Sequence, residues 1–409
     1  MLIPFSPPRI DEKTIDAVNE VLRSGWITTG PKTKEFEKRL ADYCGISHVI
    51  CVNSATSGLE LMLRWFGITE GDEVIVPAYT YCATANVIKH CGATPIMVDI
   101  SDDFTIDIEK IKEAITPRTK AIIPVDIAGY PCDYDRIYEL IHSPDVVKMF
   151  TPNSPNQTLL GRILVMSDAA HSIGASYKGK RTGSLTDITV FSFHAVKNLT
   201  TAEGGAICLN LPTPFNMDEI YQYLCCISLH GQSKDALAKM QVGNWRYDVI
   251  EAGYKCNMTD IQAAIGLVEL ARYDEMLAKR KSIFDRYTEA FADGKLFQAP
   301  TYETSDRISS YHVYPLRIQN IDESQRDAIM AKIFAEGVSV NVHFIPLPML
   351  RYYKNLGYNI DNYPCTYHHY SQEISLPVYY DLSDEEVERV IEVVKMAIRI
   401  MSQGDMENP

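Results

Sequence analysis

The stretch FSFHAVKNLTTAEGG, residues 191–205, joins two apolar segments through a turn that carries one lysine, Lys197. We predict strands at Ile188–Phe193 and Gly205–Leu209, because both segments are short, apolar and rich in β-branched or aromatic residues. A lysine enclosed at such a turn has its pKa lowered by desolvation, and its neutral amine can then attack an aldehyde. A solvated surface lysine in a glycine-containing loop is the alternative that spacing alone leaves open.

Short apolar segments alternate with helical patterns through the first two-thirds of the chain. Such alternation predicts an α/β fold with a mostly parallel sheet and helices on both faces. Ligands of such sheets bind beyond the carboxyl ends of the strands. The other predicted strands are Val49–Val52, Glu73–Val76, Pro95–Val98, Lys120–Asp126 and Ile163–Met166. The helices predicted between them are Ser57–Trp65, Ala83–His90 and Ile108–Ile115.

The last third of the chain predicts a smaller α+β domain. A continuous helical pattern from Thr259 to about Phe291 predicts one long amphipathic helix that ties two domains together. We place the large domain at 1–275, with an N-terminal arm at 1–30 that packs against the small domain, and the small domain at 276–409. Its predicted elements are strands at Ser310–Ile318 and Val338–His343 and helices at Arg326–Glu336 and Asp384–Met401, the last with Ser383 as N-cap.

Composition and charge limit the class of partner. The 409 residues include 39 Lys and Arg against 53 Asp and Glu, a formal net charge of −14, which argues against a nucleic-acid or anionic-membrane surface. The 10 cysteines include no C-x-x-C pair, so we expect reduced structural thiols and no metal site. No apolar run reaches the roughly 20 residues of a membrane span, and the N-terminus does not resemble a signal peptide, so we expect a cytoplasmic protein.

Three further segments place candidate ligands next to predicted strand ends. Asp168 follows a strand in RILVMSDAAHSIGA, residues 162–175, where its carboxylate can pair with a pyridinium N–H or simply cap the next helix. Residues 53–58, NSATSG, expose backbone N–H groups that suit a phosphate, although Ser and Thr also begin helices as ordinary caps. Tyr79 and Tyr81 follow another predicted strand, where either ring can stack on an aromatic cofactor or pack in the core.

Together these segments resemble the DegT/DnrJ/StrS family of sugar aminotransferases over nearly the whole chain. The resemblance implies the fold-type I, aspartate aminotransferase-like architecture of enzymes that use pyridoxal 5′-phosphate (PLP), with a large domain and a smaller C-terminal one. The motifs that carry it are SGWITTGPKTKEFEKRLADYCG, NSATSGLEL, VPAYTYCATANVI, SDAAHSIGA, SFHAVKNLTTAEGG, GYKCNMTDIQAAIGLVEL, VNVHFIPLP and SLPVYYDLSDEEVERVIEVV.

The resemblance also implies roles for individual residues. Lys197 would carry the cofactor as a Schiff base and shuttle a proton, Asp168 would pair with the pyridine nitrogen, and His171 would lie near the phenolic oxygen. Tyr81 takes the stacking position. The residues implied in phosphate binding are Ala55, Thr56, Ser192 and, from a neighbouring subunit of a homodimer, Asn257. The residues implied in lining the sugar-nucleotide entrance are Trp26, Thr28, Thr29 and His343.

The reaction that the resemblance implies is amino transfer from glutamate to a nucleotide-linked 4-keto-6-deoxy sugar, with pyridoxamine phosphate as the intermediate cofactor form. The first candidate is a UDP-N-acetyl sugar, with dTDP sugars next, and the product would serve cell-surface polysaccharide synthesis. Two positions depart from the family pattern. Ala195 replaces a common Pro, which should be tolerated, and Pro348 replaces a common His, so no substrate role is carried onto it.

Other functions stay open at this point. A sugar dehydratase of the same family has His in place of the Schiff-base lysine, and Lys197 argues against it. A PLP-fold sensor would bind the cofactor without turnover, but no basic DNA-binding stretch is present. A cysteine desulfurase would need a catalytic cysteine loop, and a scaffold would not need Lys197 together with Asp168. Residues 233–251 either shape the substrate pocket or form a solvated loop that includes Lys234, Asp235, Trp245 and Arg246.

Overall fold

The computed structural model of the chain describes residues 2–233, 246–292 and 294–404. Lys234, Asp235 and Trp245 lie outside the described residues. The strands are β1 (His48–Val52), β2 (Glu73–Pro77), β3 (Thr94–Val98), β4 (Thr119–Ile122), β5 (Leu164–Asp168), β6 (Ser176–Tyr177), β7 (Lys180–Arg181), β8 (Ile188–Ser192), β9 (Gly205–Leu209), β10 (Phe297–Gln298), β11 (Arg307–Ile308), β12 (Tyr314–Ile318) and β13 (Glu373–Leu376). The α-helices are Glu12–Ser24, Pro31–Cys44, Ala55–Trp65, Cys82–His90, Ile108–Ala114, Tyr134–Ile141, Pro144–Met149, Pro155–Leu160, Met217–Ile227, Asp260–Ala271, Tyr273–Ala290, Glu323–Ala335, Arg351–Asn355, Pro364–Gln372 and Asp384–Gly404.

Seven strands form one large sheet in the order β1-β9-β8-β5-β4-β2-β3. β9 runs antiparallel to both its neighbours, whereas the pairs from β8 through to β3 are parallel. The predicted mostly parallel mixed sheet is therefore confirmed. Each predicted strand of this sheet begins and ends within a few residues of the observed one, and the largest difference is at β4, which is shorter than predicted.

Helices cover both faces of this sheet, as the alternation of side chains along β1 shows. Ile50 and Val52 belong to one buried cluster, which also contains Leu59 of the helix Ala55–Trp65. Val49 and Cys51 belong to a different buried cluster on the opposite face. Successive side chains of a strand point to opposite faces, so a strand buried on both sides must contact two separate cores.

A second, antiparallel sheet of β10, β12 and β13 belongs to the C-terminal part of the chain. Its core contains Leu316 and Ile374 together with Val390 of the last helix. Ile3 joins the same core and pairs with Val338 in a parallel bridge. The division of the chain near residue 275 stays a prediction.

The single helix predicted from Thr259 to Phe291 is wrong. Arg272, with φ −117° and ψ 11°, separates the helix Asp260–Ala271 from the helix Tyr273–Ala290. The Arg272 guanidinium pairs with the carboxylates of Asp11 and Glu269. The apolar pattern runs through the break, so periodicity does not reveal it.

The strand predicted at Val338–His343 is also wrong. Val338 pairs with Ile3, whereas Asn341 pairs with Ser375. Because the two bridges involve different neighbours, no continuous ladder forms. The strand predicted from Ser310 starts later, at Tyr314, because Tyr311 takes a left-handed φ of 55°.

The cysteines, the helix lengths and the start of the last helix bear on what the sequence predicts. All ten cysteines, which lie within the described residues, are free thiols. No helix in the described part of the chain is long and apolar enough to cross a membrane. The last helix begins at Asp384 as predicted, since Ser383 Oγ accepts a hydrogen bond from the Glu386 N–H at 3.2 Å.

Candidate active site

A cavity of about 330 Å³ opens where β2, β5 and β8 end and where the helix after β1 begins. Because the carboxyl ends of parallel strands meet at one edge of a sheet, residues far apart in the chain converge there. The predicted site residues among its lining are Ala55, Thr56, Tyr81, Asp168, His171, Ser192, Lys197 and His343.

Asp168 is a buried carboxylate at the end of β5. Its Oδ2 accepts a hydrogen bond from Thr84 Oγ1 at 2.8 Å, and its Oδ1 accepts one from the Ala170 N–H at 3.2 Å. Burial raises the pKa of Asp168, while these two hydrogen bonds and the charge of Lys197 oppose that shift. A carboxylate held in this way can pair with a protonated ring nitrogen.

Sequence reasoning missed Thr84, which orients Asp168. Thr84 lies near the start of the helix Cys82–His90 and is completely buried. Its hydroxyl also lies 3.0 Å from the Thr80 hydroxyl. Thr84 belongs to the motif VPAYTYCATANVI. A threonine that is buried there requires a hydrogen-bond partner for its hydroxyl, and this requirement is the signal that could have identified it.

Lys197 is half-buried and lines the cavity. Its backbone N–H donates to the His194 carbonyl at 2.9 Å, which fixes the turn after β8. Desolvation lowers the pKa of Lys197 to about 8, and the charge of Asp168 opposes the shift. A larger fraction of this amine is therefore neutral and nucleophilic near neutral pH than for an ordinary lysine.

The start of the helix Ala55–Trp65 forms an anion-binding corner of the cavity. Ser54 caps this helix, and its Oγ accepts from the Ser57 N–H at 3.1 Å. The first N–H groups of a helix have no acceptor within the helix, and Ala55 and Thr56 line the cavity beside Ser192. A Cβ on Gly205 would lie 2.6 Å from the Ala55 nitrogen, so glycine is required for β9 to pass this corner.

His171 is a neutral imidazole whose tautomer follows from its hydrogen bond. Its Nδ1 lies 3.2 Å from the Ala128 backbone N–H, which can only donate, so the ring proton belongs on Nε2. Burial lowers the pKa of His171 well below its usual value, and the charges of Lys197 and His343 add to the effect. The ring also stacks on Phe344, with centroids 5.8 Å apart.

His312 is a second residue that sequence reasoning missed, because the segment Ser310–Ile318 indicates a strand and nothing in it indicates a site residue. It lines the cavity, and its ring centroid lies 4.3 Å from that of His171. Its Nδ1 lies 2.7 Å from Oδ1 of Asn198, the residue after Lys197. No feature of the local sequence identifies this contact.

The two candidate stacking tyrosines occupy different environments. Tyr79 is completely buried in the core, whereas Tyr81 is 59% exposed and lines the cavity. The Tyr81 ring lies 5.7 Å from the Phe344 ring, centroid to centroid. Tyr81 alone of the pair therefore presents a ring face to the cavity.

The remaining predicted residues lie outside this cavity, and three of them, Trp26, Thr29 and Asn257, are joined by hydrogen bonds. Asn257 Nδ2 donates to Thr29 Oγ1 at 2.6 Å, and Trp26 Nε1 donates to the Thr29 carbonyl at 3.1 Å. The Thr28 carbonyl accepts from the Asp260 N–H at 3.1 Å. Within one chain, these residues do not reach the cavity that Lys197 lines.

The sequence model of the DegT/DnrJ/EryC1/StrS aminotransferase family matches residues 8–149 and 160–395 of the chain. The chain is 40% identical over 402 residues to an uncharacterized protein of Methanocaldococcus jannaschii, covering 97% of each. It is 37% identical over 402 residues to the spore coat polysaccharide biosynthesis protein SpsC of Bacillus subtilis, again covering 97% of each. The similarity therefore includes both parts of the fold.

Solved structures agree with this similarity. A protein of Streptococcus pneumoniae assigned as a sugar aminotransferase, in its pyridoxamine phosphate form, superimposes with a TM-score of 0.94 at 48% identity, covering 98% of this chain and 100% of that one. The PLP form of the same protein gives a TM-score of 0.93 at 46% identity with the same coverage. Helicobacter pylori PseC, an aminotransferase involved in pseudoaminic acid biosynthesis, gives 0.84 at 28% identity, covering 98% of this chain and 100% of PseC.

Proposed function

Because the chain belongs to the DegT/DnrJ/EryC1/StrS aminotransferase family, we propose that it transfers an amino group from glutamate to a nucleotide-linked 4-keto-6-deoxy sugar. A UDP-N-acetyl sugar is the first candidate acceptor, and the product is a 4-amino sugar for polysaccharide synthesis. The names of SpsC and PseC, which refer to spore coat polysaccharide and to pseudoaminic acid biosynthesis, support this class of product. The observation that carries the proposal is the convergence of Lys197 and Asp168 on one cavity.

PLP is the cofactor, as the PLP and pyridoxamine phosphate forms of the Streptococcus pneumoniae relative indicate. When bound, PLP supplies a protonated pyridine ring that draws electrons away from the carbon where the amino group is exchanged. The cavity offers a chemically matched group for each part of the cofactor. Asp168 suits the ring nitrogen, the corner at Ala55 and Ser192 suits the phosphate, and Tyr81 suits the ring face.

Lys197 moves the protons in the proposed reaction. In the first half, its Nζ accepts the proton from the α-carbon of glutamate, and in the second half it returns a proton to C4 of the sugar. The lowered pKa of Lys197, about 8, leaves Nζ able to accept a proton at neutral pH. Asp168, held by its two hydrogen-bond donors, would pair with the ring nitrogen and keep it protonated.

The proposed active site is shared between two subunits. Asn257 and the segment Trp26–Thr29 form one polar group outside the cavity of their own chain. The family resemblance assigns Asn257 to the phosphate in the neighbouring subunit and the segment Trp26–Thr29 to the sugar-nucleotide entrance. Their separation from Lys197 within one chain is what a shared site requires, and a homodimer is therefore part of the proposal.

The proposal is tested by the visible absorbance of the PLP-loaded enzyme before and after addition of glutamate. We expect glutamate to replace the visible band by that of pyridoxamine phosphate, and a 4-keto sugar nucleotide to restore it. Lys197→Ala should show neither change. A wild-type band that no amino donor alters would refute amino transfer and favour a non-catalytic sensor, while dehydration of the sugar without amination would favour the dehydratase.

A further inference from the structure

Three side chains form a hydrogen-bonded series from β13 to the cavity. His343 Nδ1 lies 2.8 Å from Ser375 Oγ, and Ser375 Oγ lies 2.5 Å from Glu373 Oε1. The second carboxyl oxygen of Glu373 accepts from the backbone N–H of His343 at 3.1 Å. Glu373 and Ser375 are completely buried, whereas His343 lines the cavity. A buried acid is thus connected to an imidazole at the candidate active site.

The carboxyl group of Glu373 is buried, and no cation among the described residues pairs directly with it. Burial raises its pKa to about 8, although its hydrogen bonds with Ser375 and His343 and the charge of Arg326 oppose the shift. The Arg326 guanidinium pairs with Asp327 at 2.7 Å and reaches only the main-chain carbonyl of Glu373, at 3.2 Å. A buried carboxylate without a directly paired cation is costly, so the protonated form is favoured.

The direction of the hydrogen bonds follows from this charge state. The Glu373 oxygen that faces the His343 N–H can only accept, so the acid proton points to Ser375 Oγ. Ser375 then donates its own proton to His343 Nδ1. An imidazole whose Nδ1 accepts carries its proton on Nε2. An ionised Glu373 would reverse the series and place the proton on Nδ1.

The His343 ring is held in place by neighbours other than Ser375. Phe5 stacks on it, with centroids 5.4 Å apart and an interplanar angle of 22°, and Phe344 meets it edge-on at 4.9 Å. Burial and the nearby charge of Lys197 lower the pKa of His343 to about 3, so the ring is neutral. With Nδ1 engaged by Ser375, Nε2 is the ring nitrogen left for the cavity.

We propose that Glu373 and Ser375 are positioning residues that hold His343 as its Nε2–H tautomer, so that His343 offers the cavity a neutral hydrogen-bond donor for a substrate oxygen. The identity of the substrate rests on the proposed function, whereas the tautomer does not. The acceptor is an oxygen of the amino donor's carboxylate or a hydroxyl or keto oxygen of the sugar. All of these oxygens can accept a hydrogen bond, and the KM values for the two substrates distinguish between them.

The tautomer is tested by solid-state NMR of the full-length protein labelled with ¹⁵N at histidine, at neutral pH. The His343 signals are assigned by their loss in His343→Asn. We expect a protonated Nε2 and an unprotonated Nδ1. Glu373→Gln should preserve this pattern, because a glutamine amide can donate to Ser375 and accept from the His343 N–H as the neutral acid does. A protonated Nδ1 in the wild type, or a change of tautomer in Glu373→Gln, would overturn the proposal.

Ser375→Ala removes the link and should give a mixture of both tautomers, because Nδ1 loses its partner. Ser371→Ala is the matched control, since Ser371 is also buried and its hydroxyl donates to the His368 carbonyl at 3.1 Å, outside the series. This control should keep the wild-type spectrum. A single Nε2–H tautomer in Ser375→Ala would show that the series does not determine the proton position.

Steady-state kinetics of the same two variants locate the substrate oxygen. We expect Ser375→Ala to raise one KM about five- to ten-fold, the usual effect of one lost hydrogen bond, with a smaller change in kcat. A rise in the KM for glutamate alone assigns the oxygen to the carboxylate of the amino donor. A rise in the KM for the sugar alone assigns it to the sugar. Equal KM values in Ser375→Ala and Ser371→Ala would refute the donor role. Absence of amino transfer in the wild type would refute the proposed function and leave the tautomer measurement unaffected.

Discussion

Thr84 Oγ1 donates a hydrogen bond to Asp168 Oδ2 at 2.8 Å, although the two residues are 84 positions apart in the chain. The helix that follows β2 therefore orients the carboxylate that ends β5. This contact gives Asp168 a defined direction before any ligand binds.

Replacing Thr84 by Val should weaken PLP binding about ten-fold, because one oxygen of a buried carboxylate then loses its donor. The dissociation constant of the apoenzyme for PLP, measured by absorbance titration, checks this. Thr84→Ser keeps the hydroxyl and should bind PLP as the wild type does. Thr80→Val is the matched control, since the Thr80 hydroxyl contacts Thr84 and not Asp168. Equal affinities of Thr84→Val and Thr80→Val would contradict the orienting role.

Asp168→Asn should lower kcat by a factor of about 100 or more, since a neutral amide cannot keep the pyridine nitrogen protonated. The amide oxygen can accept from the Ala170 N–H while the amide nitrogen donates to the Thr84 hydroxyl, so we expect the fold and PLP binding to persist. Stopped-flow absorbance with glutamate measures the first half-reaction directly. A rate within a few-fold of wild type would remove Asp168 from the proposed mechanism.

The rate at which the apoenzyme captures PLP on Lys197 should rise as the pH increases through about 8. The deprotonated amine is the nucleophile, and the pKa of Lys197 is lowered to about 8 by burial. An ordinary lysine would show this rise only near pH 10. The measurement is the initial rate of appearance of the protein-bound PLP absorbance at a series of pH values, with Lys197→Arg as the unreactive control. A midpoint near 10 would show that Lys197 is not desolvated in solution.

Mixing two defective variants tests the shared active site. If Asn257 serves the neighbouring subunit, a mixed dimer of Lys197→Ala and Asn257→Ala subunits has one site that lacks both side chains and one site that has both. Refolding the two variants together should then restore activity well above that of either variant alone. If Asn257 serves its own chain, the mixed dimer contains no intact site and activity stays low.

The free energy of unfolding of the wild type, relative to that of Glu373→Gln, should fall as the pH rises from 6.5 to 8. The folded-state pKa of Glu373, about 8, lies above the usual value of a carboxyl group, so in this window the folded state binds the proton that the unfolded state has lost. The pKa of Asp126, about 6, lies below the window. The lowered pKa values of Lys197, about 8, and His343, about 3, act in the opposite direction in this window, but both groups are present in wild type and Glu373→Gln, so their effects cancel in the comparison.

Denaturant titrations of wild type and Glu373→Gln at both pH values make this comparison. Ser371→Ala should keep the wild-type pH dependence. Tyr79 and Arg326, which also face Glu373, do not change charge between pH 6.5 and 8, since burial raises the pKa of Tyr79 and the Asp327 pair raises that of Arg326. Identical slopes for wild type and Glu373→Gln would mean that Glu373 is ionised throughout this range.

Local pattern was enough to predict much of the fold. The strands of the large sheet are short apolar segments bounded by polar or glycine residues, and such segments are recognisable without tertiary information. Elements whose ends depend on distant partners were predicted poorly. The helix breaks at Arg272, which pairs with the distant Asp11, and residues 338–343 form bridges with two different partners, Ile3 and Ser375.

The order of residues alone identifies which chemical groups are present: a lysine after β8, an acid at the end of β5 and small residues at a helix start, each within one contiguous motif. The orientation of those groups comes from contacts that form only in the folded chain. Thr84 on Asp168, Ala128 on His171 and Ser375 on His343 are contacts across 84, 43 and 32 positions. Hydrogen-bond direction and desolvation depend on the three-dimensional neighbours of a group, which no local periodicity records. Those neighbours lower the pKa of Lys197 and place the ring proton of His171 on Nε2.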